Sequence, residues 1–283
     1  STINLGANTY ELTLGESDEN DGKEGDLDID GKELTIVGDS VSGTTIDASG
    51  LSSGDRVFHV LNNGTLTLEN VKITGGNVTG GDDGGGIFNY DSTVTIKNST
   101  VTGNTAYGEF SDGGGIANEK GTLNIYNSTI SNNSASDTDN GTSTGGGINN
   151  YDGTVTIVNS TISNNTAVDG NEGRGAGLYV EQKKESPVVE LTHVTIAGNS
   201  TYESGGGVYI RNKLNSGDAT DITITNSIIA DNFINSGSGY ADFDEDDQST
   251  ITIEGKNIIE SYEIPSQQGS GTIDSSDPSL GNL

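Results

Sequence analysis

Apolar residues fall at every second position in short runs along this chain, as in Val94 and Ile96, Leu123 and Ile125, and Val155 and Ile157. That spacing sends one set of side chains to one face of a β-strand and the intervening set to the other. No stretch of ten or more residues carries the i, i+3, i+4 pattern of a helix, so leucine-rich, TPR and ankyrin repeats fit poorly. The runs recur in a larger unit. Gly84-Gly85-Gly86-Ile87-Phe88-Asn89 leads into Thr93-Val94-Thr95-Ile96-Lys97-Asn98 and Thr100-Val101-Thr102-Gly103-Asn104, and the Gly-rich starts return at 113, 145, 175 and 205. The period is therefore 29, 32, 30 and 30 residues, which is solenoid spacing. Three short strands per period, separated by Gly/Asn/Asp/Ser corners, predict an all-β parallel β-helix solenoid with three strands per coil.

Two asparagine columns keep nearly the same step. One reads Asn70, Asn98, Asn127, Asn159, His193, Asn226, and the other Asn77, Asn104, Asn133, Asn165, Asn199, Asn232. Stacked amides can hydrogen-bond along such a column, and asparagine tolerates the left-handed backbone of a sharp corner. The Asn-x-Ser/Thr triplets, such as Asn98-Ser99-Thr100, are read as corner ladders ahead of glycosylation acceptors. His193 in an asparagine slot and His59 in a Val-Phe-His-Val strand are read as structural.

The expected organisation is one domain, 1–283. Residues 1–33 form an N-terminal cap and first strands, 34–260 form about eight or nine coils, and 261–283 a tail or capping segment. At ladder spacing this is a rod on the order of 40 Å long.

Composition narrows the function. Twelve basic against 42 acidic residues give a net charge of −30, so nucleic acid is excluded as a partner and an anionic membrane surface is disfavoured. Only 29% of residues are hydrophobic, which a narrow β-helical core can accommodate where a compact globule could not. No apolar run is long enough to span a membrane, and no secretory n-region and h-region opens the chain. Beginning at Ser1 without Met, it reads as a mature or excised piece. Cysteine is absent, and the acidic, Gly/Asn/Thr/Ser-rich composition suits a saline or calcium-containing exterior.

The order of Tyr10-Glu11-Leu12-Thr13-Leu14, an acidic loop, Gly25-Asp26-Leu27-Asp28-Ile29, Leu34-Thr35-Ile36-Val37-Gly38 and Arg56-Val57-Phe58-His59-Val60 resembles CSLREA-type proteins. The stretch from Asn226-Ser227-Ile228-Ile229 through Asn257-Ile258-Ile259 to Asp277-Pro278-Ser279-Leu280-Gly281 resembles their choice-of-anchor Q region. The Gly-Gly-x-Ile element is also similar to repeats of chlamydial polymorphic outer-membrane proteins and autotransporter passengers. The resemblance implies a right-handed parallel β-helix solenoid from a bacterial surface or secreted protein. The name-giving Cys-Ser-Leu-Arg-Glu-Ala segment and the anchoring part are missing, and the resemblance brings no catalytic residues.

Candidate chemistry starts on the strand after each Gly triplet. With Ile87 and Asn89 inward, one outward column carries Phe88, Tyr179 and Tyr209, and its neighbour Tyr90, Glu119, Tyr151, Glu181 and Arg211. Aromatic and charged residues at coil spacing make Phe88, Tyr90, Tyr151, Tyr179, Tyr209 and Arg211 the expected glycan contacts, although aromatics also favour exposed strands on their own account. If the chain is an enzyme, the candidates are Glu119, Glu181, Lys183 and Arg211. The two glutamates lie two coils apart, about 9.6 Å, at the edge of what an inverting glycosidase uses. Carboxylate density at Asp242, Asp244, Asp246 and Asp247, and again at Asp18, Glu19, Asp21 and Glu24, suggests calcium, with solvated acidic loops as the equal alternative. Outward Thr-x-Thr pairs such as Thr93/Thr95 raise ice binding, but Asn124, Glu190 and Asp221 break the row.

The resulting expectation is a non-catalytic, adhesin-like rod, extracellular or on a bacterial surface. It acts as a monomer with glycan or cell-surface partners, calcium as the only cofactor, and no membrane insertion. The alternative is a polysaccharide lyase or hydrolase on the same scaffold. An enzyme requires Glu119 with Glu181, or Lys183 with Arg211, to converge in a groove, whereas an adhesin requires a smooth face.

Overall fold

The computed structural model describes residues 1–13, 25–51, 54–109, 112–137, 141–168, 172–212, 220–235, 240–246, 249–264, 267–278 and 280. Among them there are strands and no helices, and every strand pair is parallel. The sequence period is the coil. Ile87 pairs with Ile116, Ile116 with Ile148, Ile148 with Leu178 and Leu178 with Val208, so each residue meets its repeat partner one turn away.

The strands assemble into four sheets of ten, eight, ten and six members. The expected three strands per coil are the long ones, for example Ile87–Tyr90, Thr93–Lys97 and Thr100–Thr102. The fourth sheet comes from two- and three-residue strands such as Thr105–Tyr107 and Ser134–Ser136, too short to show an alternating apolar signature. Six coils contribute to all four sheets and partial coils flank them, about seven turns in all, slightly fewer than expected. The cap boundary also shifts. Thr2–Leu5 and Asn8–Glu11 pair onto Glu33–Gly38 and Thr44–Asp47, and Leu27–Asp30 already belongs to a coil. At the other end Thr272–Asp274 continues a ladder into the expected tail. The acidic positions 18, 19, 21 and 24 lie outside the described residues.

A thin shaft of Val, Ile and Leu fills the coils. Leu66, Val94, Leu123, Val155 and Val189 follow one another in adjacent strands and are all fully buried. Each such burial stabilises by roughly 1.5–3 kcal/mol, and stacking them in register excludes water along the whole axis.

The asparagine columns prove to be two different devices. In the first, Asn70, Asn98, Asn127, Asn159, His193 and Asn226 all have φ between 46° and 57°. They are corner residues in left-handed backbone, and the sharp turn, not amide stacking, selects them. In the second, the side chains do stack. Asn104 donates to Asn133 at 3.0 Å, Asn133 to Asn165 at 3.0 Å, Asn165 to Asn199 at 3.0 Å and Asn199 to Asn232 at 2.9 Å. Asn77 does not belong to this ladder. It pairs with Thr105, and Gly76 occupies the ladder position, donating its backbone N–H to Asn104. A third ladder, Asn89 to Asn118 to Asn150, runs inside the strands after the Gly triplets with 2.6 Å links.

The corner reading predicts that Asn127→Gly will be close to neutral. Asn127→Val should cost about 1–2 kcal/mol, because a β-branched residue resists φ of 49°. Chemical denaturation of both variants measures the difference, and equal midpoints would refute the backbone explanation.

Candidate functional site

The outward face of the eight-stranded sheet becomes the floor of a groove because each Gly triplet begins with a turn. Gly84, Gly113, Gly145, Gly175 and Gly205 have φ of 72°, 68°, 63°, 58° and 58°, a conformation costly for any residue with a Cβ. The turn swings the residue just before it over the sheet. Those residues are Asp83, Asp112, Thr144, Arg174 and Ser204, and isolated parallel bridges join Thr144 to Arg174 and Arg174 to Ser204. This file is one wall. The segment after Tyr151 and Gln182 supplies the other, held by Asp152, whose carboxylate accepts the backbone N–H groups of Lys183, Lys184 and Glu185 at 2.6–3.2 Å.

Between the walls lies a cavity of about 400 Å³ lined by Asp83, Asp112, Glu119, Thr142, Thr144, Tyr151, Tyr179, Glu181, Lys183 and Arg211. The four residues named from sequence as enzyme candidates, Glu119, Glu181, Lys183 and Arg211, all line it. Their register is the expected one: Glu119 pairs with Tyr151, Tyr151 with Glu181 and Glu181 with Arg211.

The aromatic platform is not what the strand pattern suggested. Phe88, Tyr179 and Tyr209 do share one file's orientation, and Tyr90 and Tyr151 the next. The walls, however, cover three of the five: Tyr151 is 9% exposed, Tyr179 1% and Tyr209 3%. They form a buried cluster, with Tyr179 stacked on Tyr209 at 5.8 Å and edge-on to Tyr151 at 6.1 Å. Only Phe88, half-buried, and Tyr90, 39% exposed, offer faces to a ligand outside the cavity. Alternation along a strand cannot report a neighbouring loop folded over it.

The cavity's electrostatics centre on two residues not singled out from sequence. Asp112 is buried, and one carboxylate oxygen accepts from the Thr144 N–H at 3.0 Å and from the Thr144 hydroxyl, while the other accepts from the Tyr151 hydroxyl. Asp83 accepts the backbone N–H of Asp112 at 2.9 Å. Burial is the main force pushing Asp83 up, to about 8, and the neighbouring Asp112 charge pushes the same way. Burial also raises Asp112, to about 6, against the hydrogen bonds from Thr144 and Tyr151 that favour its ionised form. The Asp112 charge acts on Asp83, and the higher value of Asp83 makes it the one that keeps a proton near neutrality. Burial and the Asp112 charge in turn hold the Tyr151 hydroxyl protonated, far above its ordinary value.

Positive charge is concentrated at the same place in a chain of net charge −30. The Lys183 ammonium lies 3.3 Å from the Tyr151 ring centroid, a close cation–π contact. Both Lys183 and Arg56 act to lower the Asp83 pKa, although burial outweighs them. Glu181 is buried and accepts the Tyr179 hydroxyl at 2.7 Å, and Arg211 also hydrogen-bonds Tyr179. Glu119 is half-exposed and pairs with Lys120 at 3.0 Å. The signal that could have found Asp83 and Asp112 is positional: each stands immediately before a turn glycine of the repeat, where a strand pattern carries no information.

The described carboxylates of the acidic run near the end of the chain hydrogen-bond within the fold. Asp242 caps the asparagine ladder, accepting from the backbone and side-chain nitrogens of Asn232 at 3.0 and 2.8 Å and from the Ser261 N–H at 2.9 Å. Asp244 accepts from the Ser204 hydroxyl and the Tyr240 N–H, and Asp246 from the Tyr209 hydroxyl. These side chains do not converge, and Asp247 lies outside the described residues. Metal-capable groupings among the described residues fall elsewhere, at Asp26, Asp28 and His59 and at Asp231, Glu260 and Asp277. Asp242→Ala is expected to lower the thermal midpoint equally in EDTA and in calcium, by about 1–3 kcal/mol of lost ladder bonding. A loss confined to the calcium sample would restore the metal reading.

No protein family, no curated protein and no solved structure matches this chain. The class defined by fold and site is an all-β parallel solenoid with a lateral groove on one sheet.

Proposed function

We propose that the protein is a polysaccharide-active enzyme, a hydrolase of glycosidic bonds working in the lateral groove. The observation that carries this reading is the Asp83–Asp112 pair of carboxyls, adjacent in one cavity that also gathers Lys183, Glu181 and Arg211, where burial raises Asp83 further than Asp112. Two carboxyls with opposed protonation are what cleavage of an acetal linkage needs. Asp83 gives its proton to the glycosidic oxygen as the bond to the anomeric carbon breaks. Asp112, one coil along the same wall, supplies the negative charge and takes a proton from the water that attacks that carbon. Perturbed titrating groups inside a cavity are also the general mark of a reactive site.

The distinction drawn from sequence was convergence in a groove against a smooth face, and the cavity favours the enzyme. Elimination from a uronate, with Lys183 or Arg211 as its base, is the second reading that the same cavity lining allows. The exposed Tyr90 lies on the same sheet outside the cavity, where a sugar ring of the same polysaccharide can stack. The acidic, cysteine-free composition fits an extracellular or cell-surface setting.

Incubation with a panel of neutral and acidic polysaccharides tests the proposal. New reducing ends without unsaturation are expected, and unsaturated products would move the chemistry to a lyase. Binding without any product would return the chain to the non-catalytic, glycan-contacting rod.

A further inference from the structure

We propose that Asp26, Asp28 and His59 form a binding site for a divalent first-row transition metal ion, near the N-terminal end of the sheet that floors the groove. The inference is independent of the hydrolase reading, and none of the three ligands lines its cavity. The strand Leu27–Asp30 pairs with Phe58–Leu61 so that Asp28 stands directly beside His59. Asp26, two residues before Asp28, falls on the same side. One oxygen from each carboxylate and one ring nitrogen of His59 lie within 4.8 Å of one another. A metal holding such donors at about 2.0–2.2 Å would draw them closer by side-chain rotation, with no change in strand register.

His59 is the second observation that points to a ligand. The residue is 9% exposed, and its Nδ1 is buried without a hydrogen-bond partner. That nitrogen faces the Asp28 carboxylate at 3.4 Å. A neutral Nδ1–H would donate to the carboxylate, and a protonated ring would pair with it. The approach of Nδ1 to Asp28 lacks the alignment of a hydrogen bond, which leaves this nitrogen placed to face a metal. The ring is fixed by stacking on Phe88 at 5.1 Å, and Asp26 is fixed by Arg56 at 3.5 Å. Such supporting contacts commonly orient metal ligands. Two carboxylates with an imidazole favour zinc, iron or cobalt over calcium, which prefers six to eight oxygens. The bound ion would tie the first coil to the second where the solenoid has the fewest neighbours.

The test uses the full chain after chelator treatment. Titration with Zn²⁺ is expected to release binding heat and raise the thermal midpoint, and Ca²⁺ to do neither at this site. Co²⁺ should give visible d–d absorption characteristic of nitrogen and oxygen ligands. His59→Gln and Asp28→Asn should each weaken Zn²⁺ binding at least about tenfold. The Co²⁺ spectrum of the unaltered protein stands even if a variant folds poorly. The proposal is overturned if the unaltered protein shows neither heat nor Co²⁺ absorption, which would leave Asp26, Arg56 and His59 as a structural network. It is equally overturned if binding persists unchanged in both variants, which would place the ion at Asp231, Glu260 and Asp277.

Discussion

Asp83→Asn is expected to remove glycan cleavage and at the same time to stabilise the protein at pH 8. Loss of the proton donor should lower the rate by about 10²–10⁴-fold. The stability gain follows from the sign of the pKa shift. Burial raises Asp83 from its ordinary 3.8 to about 8 in the folded chain. Between those values the unfolded chain has released this proton and the native chain still holds it, so stability falls as pH rises. Above about 8 the native state must carry a half-buried charge beside Asp112. Asparagine removes that penalty, on the order of 2 kcal/mol at alkaline pH, and is close to neutral at pH 4. Melting curves at both pH values, with reducing-end assays alongside, check the pair of effects. A variant less stable than the parent at pH 8 would show that Asp83 is a structural carboxylate. The same titrations set the pH profile expected for cleavage by the parent protein. Activity needs Asp112 ionised and Asp83 protonated, so it should rise through about 6 and fall through about 8.

Asn165→Ala is expected to cost the fold about 3–5 kcal/mol. Asn165 is fully buried and engaged on every side. Its oxygen accepts the backbone and side-chain N–H groups of Asn133, both at 3.0 Å, and its amide donates to the Ile130 carbonyl and to Asn199, both at 3.0 Å. Alanine leaves those partners in the dry shaft without replacements, and each unsatisfied group costs about 1–3 kcal/mol. Asn159→Ala provides the contrast. Asn159 sits one corner away with φ of 49° and an exposed side chain, so only backbone strain of about 1–2 kcal/mol is at stake. Denaturant midpoints compare the two, and equal losses would mean that the ladder adds nothing beyond its corners. Because each coil contacts only its neighbours, the damage from Asn165→Ala should be greatest in the two adjoining turns. Hydrogen exchange at Asn133 and Asn199 would report it.

The repeat made the architecture readable before any coordinates. A period near thirty with alternating apolar residues allows one winding, and the pairing of Ile87, Ile116 and Ile148 follows from it directly. The files of outward residues were readable for the same reason, down to Glu119, Tyr151, Glu181 and Arg211 as one column. The short fourth sheet was not, because strands of two or three residues carry no periodicity. The asparagine columns looked equivalent in sequence, since a left-handed corner and a buried amide ladder both select asparagine. Only burial and φ separate them, and they move Asn77 out of the ladder in favour of Gly76.

What the order of residues determined by itself is the solenoid: which side chains face the shaft and which share a file. The tertiary structure alone decided that one face is a groove. Turn glycines at 84 and 113 carry Asp83 and Asp112 over the sheet, and the Asp152-held segment closes the opposite side. Strand alternation is a local property of the backbone, so it fixes direction but not cover. The burial that gives Asp83 and Asp112 their opposed protonation comes from segments that meet only after the coils have stacked.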